Sequence, residues 1–369
     1  MLAVLTSVLL ARLESGPAPR VMEWEDVAVG KTPLIDLSSL DPNLPPGVKV
    51  FGKAEFANPS GSIKDRIVEH ILNEKEREGV LRRRSGQTIV AASSGNTAAS
   101  LAMFSAMRGY KCVLITNRKC SKEKVQQLYA YGADVVVTAS GVPADSPEHY
   151  QNVEKRLVAE NDGFYGLNQY DNPLNPEAYY KTLGPELWEQ TEGRITHLVA
   201  AGSTGGTVSG TARYLKERNA NVEVVMPDPH GSIFYDYWAT GKLVKPRSFE
   251  VEGVGKDSIP EALDITLVDR MPRFRDEEAF AMCRLMAQRL GIMVGGSAGG
   301  NVHAALELAR TLKGPATVVA ILCDSGTKYL SKIFNNDWMA EKGFALPTAE
   351  VAEQWETYRV GSKGNTRII

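Results

Sequence analysis

The chain has 369 residues, 43% hydrophobic and 23% charged, with a formal net charge of −2 at pH 7. That length implies two domains or one large α/β unit with a sizeable core. The balanced charge points to neither a basic nucleic-acid surface nor an acidic disordered tail, and the expected partners include no nucleic acid and no membrane.

Residues 1–10 are apolar and run to Arg12. They are too short to span a bilayer and lack the charged start and small-residue cleavage site of a leader. An extra N-terminal helix, packed on the body or on a partner, is expected there. Beyond it, strand-length apolar runs alternate with longer helical patterns. Residues 48–56 read as a strand and 67–79 as a helix. Strand 88–92 is followed by helix 97–108, strand 111–116 by helix 122–131, and then comes strand 134–137. The rhythm resumes with helix 177–191, strand 197–201, helix 207–217 and strand 221–226, then helices 276–290 and 301–312 and strand 316–323. Such alternation predicts an α/β fold of parallel sheets covered by helices. Polar, proline-containing stretches near 143–147 and 169–176 mark the passage between two lobes. The expected division is 48–167 for a smaller lobe and 1–47 with 168–369 for a larger one. Residues 361–369 carry little apolar pattern and are expected to be mobile.

Ligands in such folds bind at the carboxyl ends of strands, and four loops there are small and polar. The first is Asn58-Pro59-Ser60-Gly61-Ser62-Ile63-Lys64-Asp65-Arg66. Ser62 is its candidate N-cap and Lys64 falls in the first helical turn, where the positive end of the helix lowers an amine's pKa. A neutral amine suits attack on an aldehyde; taken alone, the loop fits a solvated surface lysine at least as well. The second, Ser93-Ser94-Gly95-Asn96-Thr97, offers backbone N–H groups and a helix start to a carboxylate or phosphate. The third, Gly202-Ser203-Thr204-Gly205-Gly206-Thr207, is the best phosphate cradle of the chain, although neither GxxxxGK[ST] nor GxGxxG is present. The fourth, Gly295-Gly296-Ser297-Ala298-Gly299-Gly300-Asn301, holds a hydroxyl among glycines or is a flexible hinge.

In this combination and order the loops resemble those of fold-type II pyridoxal 5′-phosphate (PLP) enzymes, in the group of cysteine synthase and cystathionine β-synthase, over about residues 32–344. The sequences Asp228-Pro229-His230-Gly231-Ser232, Glu252-Gly253-Val254-Gly255, Asp324-Ser325-Gly326 and Asn336-Asp337-Trp338-Met339 lean toward the cystathionine β-synthase branch. The resemblance implies a two-lobed fold like that of the tryptophan synthase β subunit, and a homodimer. It implies that Lys64 binds the PLP aldehyde and moves the substrate Cα proton. Asn96 would bond the cofactor's ring oxygen, Ser203, Thr204, Gly205, Gly206 and Thr207 its phosphate, and Ser297 its pyridine nitrogen. Ser93, Ser94, Gly95, Thr97 and Gln169 would hold the substrate α-carboxylate. A neutral serine at the ring nitrogen weakens the electron sink and favours loss of a Cβ substituent over transamination. The implied activity is β-replacement on serine, an O-activated serine or cysteine, with sulfur or another nucleophile added. A serine or threonine dehydratase and a non-catalytic PLP-binding partner protein are the alternatives.

Three departures from the family stand out: Ser203 and Ala98 replace usual glycines, and Ser93 replaces threonine. Lys256 follows Gly255 where relatives carry tyrosine or a small residue; it either attracts an anionic second substrate or is a solvated lysine. No cysteine or histidine precedes His70, so the haem segment of animal cystathionine β-synthases is not expected, nor are their regulatory domains. The four cysteines, Cys112, Cys120, Cys283 and Cys323, show neither metal nor disulfide spacing and suit a cytoplasmic setting, with Cys112 and Cys323 read as core. The five histidines form no cluster, and no metal site is expected.

Overall fold

The computed structural model describes residues 28–93, 95–117, 122–139, 142–143 and 146–344. The readings made on residues 1–10 and 361–369, on Ser94 and on Cys120 lie outside them.

The chain opens with β1 (Leu34–Asp36) and β2 (Val48–Lys53), then α1 (Lys64–Arg77). Next come β3 (Thr88–Ala92), α2 (Asn96–Arg108), β4 (Lys111–Asn117), α3 (Lys122–Ala130), β5 (Asp134–Thr138), α4 (Tyr150–Glu160) and β6 (Phe164–Gly166). After α5 (Leu174–Lys181) and α6 (Leu183–Gln190) follow β7 (His197–Val199), α7 (Gly206–Arg218), β8 (Glu223–Val225), β9 (Asp228–Pro229) and α8 (Phe234–Thr240). The last elements are β10 (Arg273–Phe274), α9 (Asp276–Leu290), α10 (Gly296–Thr311), β11 (Ala316–Ile321) and α11 (Asn336–Glu341).

β9 pairs with β10 in a small sheet, and two larger sheets organise the fold. One has the order β5-β4-β3-β6 and is wholly parallel. The other has the order β1-β2-β11-β7-β8, parallel except for the antiparallel edge strand β1. Residues 48–53, which the expected division places with the smaller lobe, therefore hydrogen-bond in the second sheet, beside β11. The central strand β3 is buried at all five positions, as a strand covered on both faces must be. Helix α2 is buried along most of its length, which its small residues Ala98, Ala99, Ser100 and Ala102 permit.

Three elements differ from the sequence reading for identifiable reasons. The single helix expected over 177–191 is two, broken at Thr182 (φ −123°, ψ −67°). Pro185 has no N–H to continue the earlier helix, and it sits in the first turn of α6, where none is needed. Helix α1 starts at Lys64 rather than residue 67 because Lys64-Asp65-Arg66 gives no apolar signal, yet Asp65 and Arg66 are buried. Helix α10 starts at Gly296 rather than residue 301, so the glycine run is helical and not a hinge. A side chain at Gly299 would overlap the Ala279 carbonyl and at Gly300 would stand 2.7 Å from the Phe274 ring: these glycines let α10 lie close against α9 and β10.

Candidate active site

The loops leaving β2, β3, β7 and β11 meet around one cavity of about 320 Å³. Lys64, Ser93, Gly95, Asn96, Thr97, Gln169, Ser203, Thr204, Gly205, Thr207 and Ser297 all line it. Gly206 does not; it opens α7 behind the cavity wall, where a side chain would overlap Asn175 Oδ1.

Lys64 is the first residue of α1, and Ile63, not Ser62, occupies the N-cap position. The Ser62 hydroxyl still accepts the Lys64 N–H, at 3.3 Å. Asp65 accepts from both the backbone N–H (2.7 Å) and the hydroxyl of Ser60, which closes the turn. Ile63 N–H donates to the Cys323 carbonyl at 2.9 Å, and Ser325 N–H to the Gly61 carbonyl at 3.1 Å, so the loop is stitched to the segment after β11. The Lys64 amine has no hydrogen bond to any described residue. Burial lowers its pKa, with Cys323 and Asp324 opposing. The direction matches the sequence reading, but its cause is enclosure rather than the helix end.

Gly205 has φ +85° and no room for a side chain against Leu263. It turns the chain into α7, whose first backbone N–H groups have no intrahelical acceptor and give the cavity a positive edge. Asn175 braces this turn from behind, donating to the Gln169 carbonyl at 2.6 Å and the Thr204 hydroxyl at 3.1 Å. Opposite, the Thr97 hydroxyl donates to Gln169 Oε1 at 2.6 Å, and Gln169 Nε2 donates to the Ala92 carbonyl at 3.2 Å. Glu154 accepts the N–H groups of Ala92 (2.8 Å) and Asn168 (3.2 Å). Burial raises its pKa while those two N–H groups hold it down.

Ser297 is buried in the first turn of α10 and, like Cys323, lines the cavity. Cys323, expected in the core, is half-buried and lines the cavity. Its thiol is nevertheless pushed up to about 12 by burial and by Asp324, so it is no thiolate. Cys112 is buried as expected, its thiol also raised by burial to about 12. Lys256 is not solvated: its side chain is 12% exposed. Its amine lies 4.4 Å from the ring centre of Tyr170, a cavity residue, and donates to the Tyr150 hydroxyl at 3.4 Å. Among the described residues no group of His, Cys, Asp and Glu could hold a metal ion, and no helix is long and apolar enough to cross a membrane.

Several residues of the site carried no assigned role in the sequence reading. Asp324, fully buried after β11, accepts from Asn96 Nδ2 and from the Tyr329 hydroxyl, each at 2.7 Å. Lys328 donates to Asn96 Oδ1 at 3.0 Å. Lys124, on α3, donates to Glu252 at 2.8 Å and to Tyr329 at 3.0 Å, and Lys332 donates to Glu252 at 2.6 Å. The position of Asp324 just beyond a strand's carboxyl end was the available signal. Glu154 had none, because α4 lies beside a stretch read as a lobe connection.

Comparison with known proteins agrees with this geometry. The family model described as "Pyridoxal-phosphate dependent enzyme" matches residues 26–324. The chain is 36% identical to the cystathionine beta-synthase of Apis mellifera, over 95% of this chain and 69% of that one. It spans 58–59% of the length of mammalian proteins of the same name. It is also 36% identical to cysteine synthase 1 of Neurospora crassa, over 87% of this chain and 86% of that one. The crystal structure of the O-acetylserine dependent cystathionine beta-synthase from Helicobacter pylori superposes with a TM-score of 0.77 at 32% identity, covering 85% of this chain and 98% of that one. With a lysine amine that has no hydrogen bond to any described residue and a glycine-built turn facing one cavity, the chain belongs to the pyridoxal-phosphate-dependent enzymes, in the group of cystathionine β-synthase and cysteine synthase.

Proposed function

We propose that the chain catalyses β-replacement on serine, an O-activated serine or cysteine. The observation that carries this reading is the Lys64 amine: lowered in pKa and without a hydrogen bond to any described residue, it faces the same cavity as the Gly205 turn and Ser93, Gly95, Asn96 and Thr97. The residues present fit PLP. Lys64 would hold its aldehyde; Ser203, Thr204, Gly205 and Thr207, with the Gly206 backbone, its phosphate; Asn96 its ring oxygen; and Ser297 its ring nitrogen. Bound PLP supplies an electron sink for the substrate's Cα bonds.

The chain's own groups do the rest. Ser93, Gly95, Thr97 and, outside the described residues, Ser94 would bind the substrate carboxylate, with Gln169 holding Thr97 in place. Lys64, once released, takes the Cα proton at its Nζ, which a lowered pKa favours. Ser297 sits next to the neutral Cys323 thiol, so neither group offers an acid that would keep a ring nitrogen protonated. That favours expulsion of a Cβ substituent followed by nucleophile addition. On the same reading the protein is a cytoplasmic homodimer, which sedimentation and cell fractionation test.

The test is the visible spectrum of the purified protein during addition of single amino acids. Wild type should show the band of lysine-bound PLP, and Lys64→Ala should lack it. A donor amino acid should shift the band, and the correct nucleophile should restore it with release of a new amino acid. A wild type without a band defeats the reading; release of pyruvate or 2-oxobutyrate with no nucleophile needed would make the protein a dehydratase.

A further inference from the structure

Lys328 lies in the turn Gly326–Tyr329 that follows β11 and is 7% exposed. A side chain on Gly61 (φ +78°) would stand 3.5 Å from its Cε, so its stem crosses the loop that carries Lys64. Its amine donates to Asn96 Oδ1 at 3.0 Å, while Asn96 Nδ2 donates to Asp324 Oδ2 at 2.7 Å. A carboxylate only accepts and an ammonium only donates, so these partners dictate which end of the amide is nitrogen and which is oxygen. Asn96 also lines the cavity, and its second N–H is the donor of that amide left for a ligand. At this point the amide offers the cavity an N–H donor, which suits an oxygen that accepts.

We propose that Lys328 is a positioning residue for the bound cofactor: by holding Asn96 Oδ1 it aims the remaining Asn96 N–H at the cofactor's ring oxygen and favours that oxygen's ionised form. This rests on the PLP reading above. Asp324, Asp65 and Lys124 are the charged groups facing Lys328; Asp324 is common to Lys328, Asn96, Tyr329 and Lys64, which ties the anchoring lysine to the same cluster. Without Lys328 the amide oxygen loses its donor and Asp324 alone orients the amide, so the second N–H is aimed less firmly at the cavity. Lys328 is contributed by one sheet and Asn96 by the other, so the contact also fixes the second loop against the Lys64 loop.

The experiment compares wild type, Lys328→Met, which removes the donor at similar volume, and Lys328→Gln, which retains an N–H. The holoenzymes are read by visible absorbance at one pH and by the dissociation constant for PLP. In Lys328→Met the longer-wavelength band of lysine-bound cofactor with an ionised ring oxygen should give way severalfold to the shorter-wavelength band of the un-ionised form. PLP should bind about tenfold more weakly, the effect of one lost charge-assisted hydrogen bond. Lys328→Gln should recover the longer-wavelength band in part. A folded Lys328→Met with an unchanged band ratio overturns the role of Lys328 and leaves the PLP reading intact; a wild type with no visible band overturns both. Should Lys328→Met fail to fold, the ¹⁵N side-chain signals of Asn96 in the wild type decide. Both N–H protons slow in exchange on addition of PLP if the proposal holds, and an exchange-labile second proton in the holoenzyme overturns it.

Discussion

Arg66 meets Glu55 through two parallel hydrogen bonds, Nε and Nη2 each 2.7 Å from one carboxylate oxygen, with both side chains wholly buried. The rest of the guanidinium faces Glu186, at 2.8 and 2.9 Å, and Lys53 closes the cluster on Glu186 at 2.7 Å. Removing Arg66 leaves the buried Glu55 carboxylate with only the neutral donors Thr32 and Asn58. Arg66→Met is expected to lower unfolding free energy by about 3–5 kcal/mol, the usual cost of a buried charge left unpaired. Urea denaturation checks this, and a loss below about 1 kcal/mol would mean the cluster relaxes around the gap.

The same cluster sets an acid limit. Burial alone would raise Glu186, but Arg66 and then Lys53 outweigh it and hold the carboxyl near 2, against an ordinary value of 4.5. A folded-state pKa below the unfolded one stabilises the fold above the unfolded value, and that contribution fades as pH falls from about 4.5 toward 2. Wild-type melting temperature should therefore drop through this window. Glu186→Gln should start lower at neutral pH and change less across it.

Gly206→Ala forces a methyl onto Asn175 Oδ1. We expect a loss of about 1–3 kcal/mol from overpacking, with weakened PLP retention because the Thr204–Gly205 turn moves with it. Asn175→Ala combined with Gly206→Ala should cost less than the two changes summed. Strict additivity in that cycle would show that the two residues do not meet.

Glu154→Gln replaces one of two acceptors with an NH₂ group facing a backbone N–H of Ala92 or Asn168. The Ser93 loop and Gln169 should both lose definition. Steady-state kinetics should show a rise in KM for the amino-acid donor of roughly tenfold, the scale of one misplaced buried hydrogen bond. A fall in kcat at constant KM would instead assign Glu154 to a later step.

Lys256, held between Tyr170 and Tyr150 and ion-paired with Asp257 at 3.6 Å, places its ammonium beside a cavity wall. Lys256→Ala should raise the KM of a carboxylate-bearing nucleophile about fivefold, a modest charge contact, and leave that of a neutral one unchanged. Equal effects on both would refute charge attraction.

The strands and helices that shape the site were legible because their apolar runs are continuous: Thr88–Ala92 and Asp276–Leu290 lie where the pattern puts them. What escaped was polar and buried. Lys64-Asp65-Arg66 begins a helix with three charged residues, and nothing in their spacing tells that Asp65 and Arg66 are sealed in the core. Short strands such as Leu34–Asp36 and Phe164–Gly166 hold too few residues for a period to appear. Among site residues, the Gly-rich loops announce themselves by composition. Asp324, Lys328 and Glu154 do not, since an acid or a lysine gains its role from a partner 62 to 232 positions away.

The strand order of the larger sheet bears on how the protein is made. β11, last of its strands to leave the ribosome, lies between β2 and β7, which are synthesised far earlier. Until residues 316–321 emerge, both of those strands present bare, apolar edges open to pairing with other chains. The Cys323–Asp324–Lys328 segment arrives with the same strand, so capture of cofactor waits on the completing strand. A nascent chain thus carries its main aggregation hazard and its missing site wall together, and a single docking event removes both.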